Sequence, residues 1–291
     1  MLNVGLIGSM ASIVSYARNL KNYKGVRIIG KSSVGAIEGS EAKSLVIPEF
    51  NRRELVETAD LLIVERSSLL FPDLLRLAIR RNKHLYFSDF PDITLEECTD
   101  LLKLADEAET LVKIRNPLLG DPLTHWIAAN WQEPACITLY ETLPGIPDKK
   151  QLLIRYLYYA FTLFNAQPQK IRVSGVPQEG DGHYFMNFRL DYPTWSTFSI
   201  DLRFAAPAAQ MVRAALPGKF LEGNALSGKA LLNQHEITLP PPAVKEEETF
   251  AALFEENGWY RHSDLPAYCS TLSMLNELLR KIELYTPWNN A

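Results

Sequence analysis

The sequence predicts an α/β Rossmann-type domain with a doubly wound parallel sheet over residues 1–120, then an α+β domain with a large open, mainly antiparallel sheet over 121–291. Three observations predict it. The chain opens as LNVGLIGSMASIVSYARNL, which reads as strand, glycine turn and helix in succession. Short apolar runs then alternate with helical patterns, as parallel strands joined by crossover helices require. Beyond residue 135 the apolar period becomes two, the mark of antiparallel strands with one wetter face.

Leu2 to Ile7 reads as the first strand, and Gly8 as the turn that follows it. A dinucleotide turn has the form G-x-G-x-x-G: the first glycine makes the turn, the second admits the pyrophosphate, and the third lets helix pack on strand. Here the second and third places hold Met10 and Ile13. Ile13, Ala17 and Leu20 stand at helical spacing, and Val26 to Gly30 reads as strand two. Leu61–Val64 and His84–Ser88 read as buried strands, separated by a helix with Leu74, Leu77 and Ala78 on one face. Thr94 and Glu97 form a capping box for a helix that buries Cys98, Leu101, Leu102 and Ala105. Leu111–Ile114 reads as a sixth strand, and Asn116-Pro117 with Gly120-Asp121-Pro122 closes the unit.

In the second half, residues 148–165 read as a helix crossing a sheet. Its strands alternate Tyr184, Met186, Phe188, Leu190 and then Phe198, Ile200, Leu202, Phe204 with polar neighbours, and Gly180-Asp181-Gly182 and Tyr192-Pro193 supply turns. Pro240-Pro241-Pro242 forbids regular structure. Two terminal helices follow, the last with a buried stripe of Leu272, Leu275, Leu279 and Ile282. The last helices can pack back on the first domain.

Composition bounds the function. With 47% apolar and 22% charged residues the chain is an ordinary globular one, neither disordered nor fibrous. A formal charge of -4 and no local block of Lys or Arg leave no field for nucleic acid. Cys98, Cys136 and Cys269 are far apart in sequence without C-x-x-C spacing, which fits a reducing compartment and points away from a disulfide framework or zinc. The uncharged start lacks a basic n-region and is broken by Gly5 and Gly8, unlike a signal peptide. No stretch approaches the roughly 20 apolar residues of a membrane span. The expectation is a cytoplasmic protein without membrane partners.

Dinucleotide sites for NAD place an acidic residue roughly 20 residues after the glycines. Strand two ends here in Lys31, Ser32 and Ser33, a cation and two hydroxyls suited to a 2′-phosphate, so NADP is favoured over NAD if either binds. Gly223, Gly228 and Lys229 match G-x-x-x-x-G-K, but Ala230 follows in place of Ser or Thr and no helix comes after, which reads as a hairpin turn. The histidines show no i, i+4 pairing, so no metal site is expected.

The segment from Asp60 to Asn116 resembles the Gfo/Idh/MocA oxidoreductases, with their D-x-V-x-I-x-T-P, A-x-x-x-G-K-H-V-x-x-E-K-P and E-x-x-E-L patterns. Asp60, Ala78, Lys83, His84 and Pro91 stand where those patterns want them; GKFLEGN and FAALFEENG are similar to segments of the family's second domain. The resemblance implies a Rossmann domain joined to an open-sheet domain, a small-molecule substrate, a dinucleotide cofactor and association of copies through the open sheet. By that resemblance Gly8, Ser9, Met10, Ser12 and Ile13 line the diphosphate, Lys31, Ser32 and Ser33 the 2′-phosphate, and Arg66, Ser67, Asp89 and Phe90 border the nicotinamide.

The chain departs from the pattern at the chemistry. The lysine of E-K-P is replaced within Asp89-Phe90-Pro91, and the T-P and histidine places hold Arg66-Ser67 and Phe71. Phenylalanine carries no exchangeable proton. Biliverdin reductases of the family carry E-Y-P there, and IIGKSSVGAIEG and IRYLYYAFTLFNAQPQKIRVSG resemble their segments as well. In the helix where many members carry D-x-G-x-H-x-x-D, Tyr156 takes the histidine place and Tyr159 that of the last aspartate. Those tyrosines are the candidate proton donors, and packing of the helix on its sheet is the alternative role. Two readings stand open: an NADPH-dependent reductase of a small organic substrate, and a catalytically inactive binding or scaffold protein without cofactor.

Overall fold

The computed structural model describes residues 1–21, 25–35, 46–145, 148–178, 182–204, 207–224, 229–239 and 263–285. Gly180-Asp181, the proline triplet, Gly228, the first of the two expected terminal helices and FAALFEENG lie outside these residues, as does the side chain of Tyr184. The chain divides into two compact units, Met1–Asn116 with Val244–Cys269, and Pro117–Ala243 with Ser270–Ala291.

The first unit is built on a five-stranded parallel sheet in the order β2-β1-β3-β4-β5, comprising β1 (Leu2–Ser9), β2 (Val26–Val34), β3 (Leu61–Val64), β4 (His84–Phe87) and β5 (Val112–Ile114). All four residues of β3 are buried, as a strand covered on both faces must be. The helices are α1 (Met10–Leu20), α2 (Arg52–Thr58), α3 (Pro72–Arg80) and α4 (Leu95–Glu107). Met10, Ile13, Ala17 and Leu20 bury against Val4, Leu6 and Ile63 in one core cluster, so two of the fingerprint places are filled by packing side chains. The Thr94–Glu97 capping box forms at the start of α4, and Asn51 with Glu54 makes another at the start of α2.

Two readings of this unit need correction. Leu111–Ile114, expected as a sixth strand, contributes the fifth; beside β2 a single parallel bridge, Lys31 to Glu49, stands where a further strand would pair. The buried face of α3 is Leu75, Ala78 and Ile79, with Leu74 and Leu77 only half-buried, because the helix packs between its neighbours α2 and α4 and buries the face turned to them.

The second unit carries an eight-stranded sheet in the order β13-β12-β11-β10-β6-β9-β8-β7. Its strands are β6 (Cys136–Leu143), β7 (Lys170–Gln178), β8 (Gly182–Asp191), β9 (Thr197–Phe204), β10 (Ala209–Leu216), β11 (Lys219–Asn224), β12 (Lys229–Leu232) and β13 (His235–Ile237). Only β6 and β9 run parallel; all other neighbours are antiparallel. In β9 every second residue is buried, Phe198, Ile200, Leu202 and Phe204, which gives the sheet one packed face. Helix α5 (Pro122–Ala129) precedes the sheet, and α6 (Lys149–Phe164) lies on the packed face with Tyr159 and Phe164 against Phe198. β11 and β12 pair as a hairpin, and Gly223 serves packing there: a Cβ on it would lie 2.3 Å from Leu123 Cδ2.

The last helix, α7, spans Leu265–Tyr285. Its buried stripe includes Leu272, Leu275 and Ile282 as expected, but Leu278 is the wholly buried member and Leu279 only half so. Among the described residues no helix is long and apolar enough to cross a membrane. Leu278→Ala should therefore cost about 2–5 kcal/mol in denaturant unfolding, and Leu279→Ala clearly less; equal losses would contradict this helix phase.

Candidate functional site

In an open parallel sheet, ligands bind outside the carboxyl ends of the strands, where the connections diverge to opposite sides. That point lies here between β1 and β3, adjacent strands that lead to Ser9 and Glu65. Ser9 is the N-cap of α1, its hydroxyl accepting from Ser12 N at 3.3 Å. Glu65 reaches across: Ser9 N donates to its Oε2 at 2.5 Å and Ser9 Oγ to its Oε1 at 3.1 Å. The same carboxylate lies against Gly8, where an added Cβ would come within 2.8 Å of Oε2. The glycine thus makes room for Glu65, and a negative charge of the chain's own sits at the positive end of α1.

A second carboxylate does the same at β2. Lys31, Ser32 and Ser33 belong to the strand itself, with Lys31 only 7% exposed. Lys31 Nζ donates to Glu49 Oε2 at 2.7 Å, while Ser33 N and Oγ donate to Glu49 Oε1 at 2.6 and 2.9 Å. Burial raises the Glu49 carboxyl, but the bond from Lys31, those from Ser33 and the Lys31 charge together hold it below its usual value.

The remaining candidates of this unit, Arg66, Ser67, Asp89 and Phe90, follow the carboxyl ends of the paired strands β3 and β4 at the same edge of the sheet. Arg66 is exposed, and Ser67 is buried with its hydroxyl accepting from Asp92 N at 2.8 Å. Asp89 accepts from Phe90 N, and Phe90 is buried in stacked contact with Tyr268 at 6.3 Å. Phe71 is 67% exposed and borders a cavity of about 160 Å³ with Leu75, Arg76, Ile93 and Leu101. His84 accepts from Leu111 N through Nδ1, and burial lowers its imidazole against the pull of Asp60.

In the second unit, Tyr156 and Tyr159 are both buried on α6. Tyr156 OH donates to Glu141 and accepts from Arg155 Nη2 at 2.7 Å; Arg155 Nη2 also reaches both Glu141 oxygens at 2.9 Å. Burial raises the Tyr156 phenol; the Arg155 charge opposes this and Glu141 adds to it. Tyr159 OH accepts from Thr124 Oγ1 at 3.1 Å, and burial raises its phenol as well. Among the described residues no group of three or more His, Cys, Asp or Glu could hold a metal ion.

Solved structures match nearly the whole chain. A UDP-N-acetylglucosamine 3-dehydrogenase from Acidithiobacillus ferrooxidans aligns with a TM-score of 0.81 and 16% identity over 98% of both chains. A Gfo/Idh/MocA family oxidoreductase from Vibrio cholerae aligns at 0.74 and 10% identity, covering 97% of this chain and 100% of that one. The chain has the Gfo/Idh/MocA oxidoreductase fold. A biliverdin reductase from Synechocystis, solved with biliverdin and NADP+, shares this fold at a TM-score of 0.72 and 12% identity, over 96% of this chain and 98% of that one. No protein-family profile and no curated protein matches the sequence.

At the two places where the phosphates of a dinucleotide would be expected, the chain's own carboxylates hold polar groups of the strand ends. Of the donors after β1, Ser9 N and Oγ bond Glu65 and Ser12 N bonds Ser9 Oγ; the Lys31 and Ser33 donors expected for a 2′-phosphate bond Glu49. Either phosphate would meet a carboxylate at contact distance, and like charges repel. Glu49 and Glu65 were missed in the sequence because nothing in their local pattern marks them. Their partners stand 16 to 18 and 56 positions away.

An added Cβ at Gly8 would also lie 2.9 Å from Glu65 Cβ, so Gly8→Ala should destabilise the protein and the loss should shrink in a Glu65→Gly background, with a coupling of about 0.5–3 kcal/mol; additive losses would separate the two residues. A carboxyl depressed in the folded state adds stability above its unfolded pKa and loses it as pH falls through the folded value. Glu49→Gln should thus be less stable at neutral pH and decline less than the parent as pH falls below about 4.5. Parallel acid limbs in pH-dependent unfolding would remove Glu49 from that linkage.

Proposed function

We propose that this chain is a catalytically inactive binding or scaffold protein on the Gfo/Idh/MocA fold, one that works without a dinucleotide. The observation that carries this reading is the Glu65 carboxylate on Ser9 N and Oγ. Those donors sit at the switch point of the sheet, where a helix N-terminus would otherwise hold an anion. The Glu49 clasp on Lys31 and Ser33 supports it from a second place.

The reductase reading also asks for a proton donor. Tyr156 OH is committed to Glu141 and Tyr159 OH is engaged with Thr124, both with almost no exposed surface. Phe90, at the lysine place of the family pattern, is buried against Tyr268. These placements support core roles for all three. The proposed partners are a small organic ligand and a second copy of the chain, joined through the half-buried face of the eight-stranded sheet that carries Thr138, Tyr140, Ser199 and Asp201. A cytoplasmic setting belongs to the same reading.

Titration of the purified chain with NADPH and NADH, followed by calorimetry and thermal unfolding, tests this. A ligand at a hundred times its dissociation constant adds about 2.7 kcal/mol to stability, so neither heat nor a shift in Tm is expected up to roughly millimolar dinucleotide. A saturable shift with NADPH would overturn the proposal and restore the reductase.

A further inference from the structure

Two of the three cysteines, 171 positions apart, meet in the first unit. Cys98 on α4 and Cys269 in the second turn of α7 lie with their sulfurs 2.8 Å apart, both as free thiols. We propose that Cys98 and Cys269 form a peroxide-oxidisable dithiol, a modification site that closes as a disulfide between α4 and α7.

The geometry sets the order of events. Cys98 is wholly buried and its sulfur also approaches Leu265 O at 3.8 Å, whereas Cys269 is only half-buried. An oxidant from solution therefore meets Cys269 first, and Cys98 is kept behind it as the resolving thiol. The hydrogen bond with Cys98 lowers the Cys269 thiol; burial opposes this and the Thr99 hydroxyl reinforces it. A thiolate is the nucleophile in such oxidations. A disulfide needs sulfurs about 2.05 Å apart, so less than one ångström of approach completes the bond. The surrounding turn is held in place: Tyr268 stacks on Phe90 and donates from its hydroxyl to Pro91 O at 2.5 Å.

The step balances with hydrogen peroxide as oxidant. The Cys269 thiolate attacks the O–O bond, its sulfur takes a hydroxyl to become sulfenic acid, and the hydroxide that leaves picks up a proton as water. Cys98 sulfur then displaces that hydroxyl, which departs with the Cys98 proton as a second water while the S–S bond forms. Two thiols are oxidised and one peroxide is reduced.

The full chain, treated with an equimolar amount of hydrogen peroxide and then denatured and alkylated, should lose the mass of two hydrogens. Peptide mapping should join the peptides that carry Cys98 and Cys269, and dithiothreitol should separate them. Because the bond closes a long loop, the oxidised protein should melt several degrees higher. Cys136→Ser should leave all of this unchanged, since that exposed cysteine is elsewhere. Cys98→Ser should stop the crosslink and leave a Cys269 sulfenic acid that dimedone traps. Recovery of Cys98 and Cys269 as alkylated thiols after peroxide, in the parent or in Cys136→Ser, would overturn the proposal whether or not Cys98→Ser folds.

Discussion

Parallel strands bring the backbone donors that follow them to one edge of the sheet, and a donor withdrawn from water must find an acceptor. The architecture of the first unit turns on how that demand is met. Acidic side chains of the chain supply the acceptors: Glu65 for Ser9, Glu49 for Ser33 and Asp264 for Ile114. Each draws its backbone donor into an intramolecular bond, and two of them also hold a lysine, Lys31 and Lys113. A sheet edge that commonly recruits an anionic ligand is here closed with anions of its own.

How far this was readable from sequence depends on range. Local rules succeeded where a pattern lies within one turn or strand. The Thr94 capping box, the alternation from Phe198 to Phe204 and the hairpin around Gly223 all follow from neighbours a few residues apart. Periodicity alone missed by one residue on α3 and α7, where Ala78 and Leu275 hold their expected places while the neighbouring positions exchange. A stripe drawn at ideal spacing has no knowledge of the surface it must fit.

The candidate site was readable only as a set of absences. Met10, Ile13 and Phe90 were visible as departures from a pattern, yet the reason for Gly8 lay in Glu65 and the partner of Lys31 in Glu49. Those contacts are tertiary, and no local spacing encodes them. The same holds for Cys98 and Cys269, whose separation along the chain argued against a pair that the fold assembles. Lys31 is the instructive residue: a cation read as a phosphate contact became, once folded, half of an internal ion pair.

The Glu65 contact also changes how this edge answers its surroundings. A tethered group competes at a fixed effective concentration, on the order of millimolar or more for a short span, and no dilution or metabolic fluctuation lowers it. The carboxylate on Ser9 is in that sense a ligand the chain carries itself, present at one copy per chain. Any phosphate ester arriving at this edge must displace a group whose local concentration does not fall when the ester's own pool does.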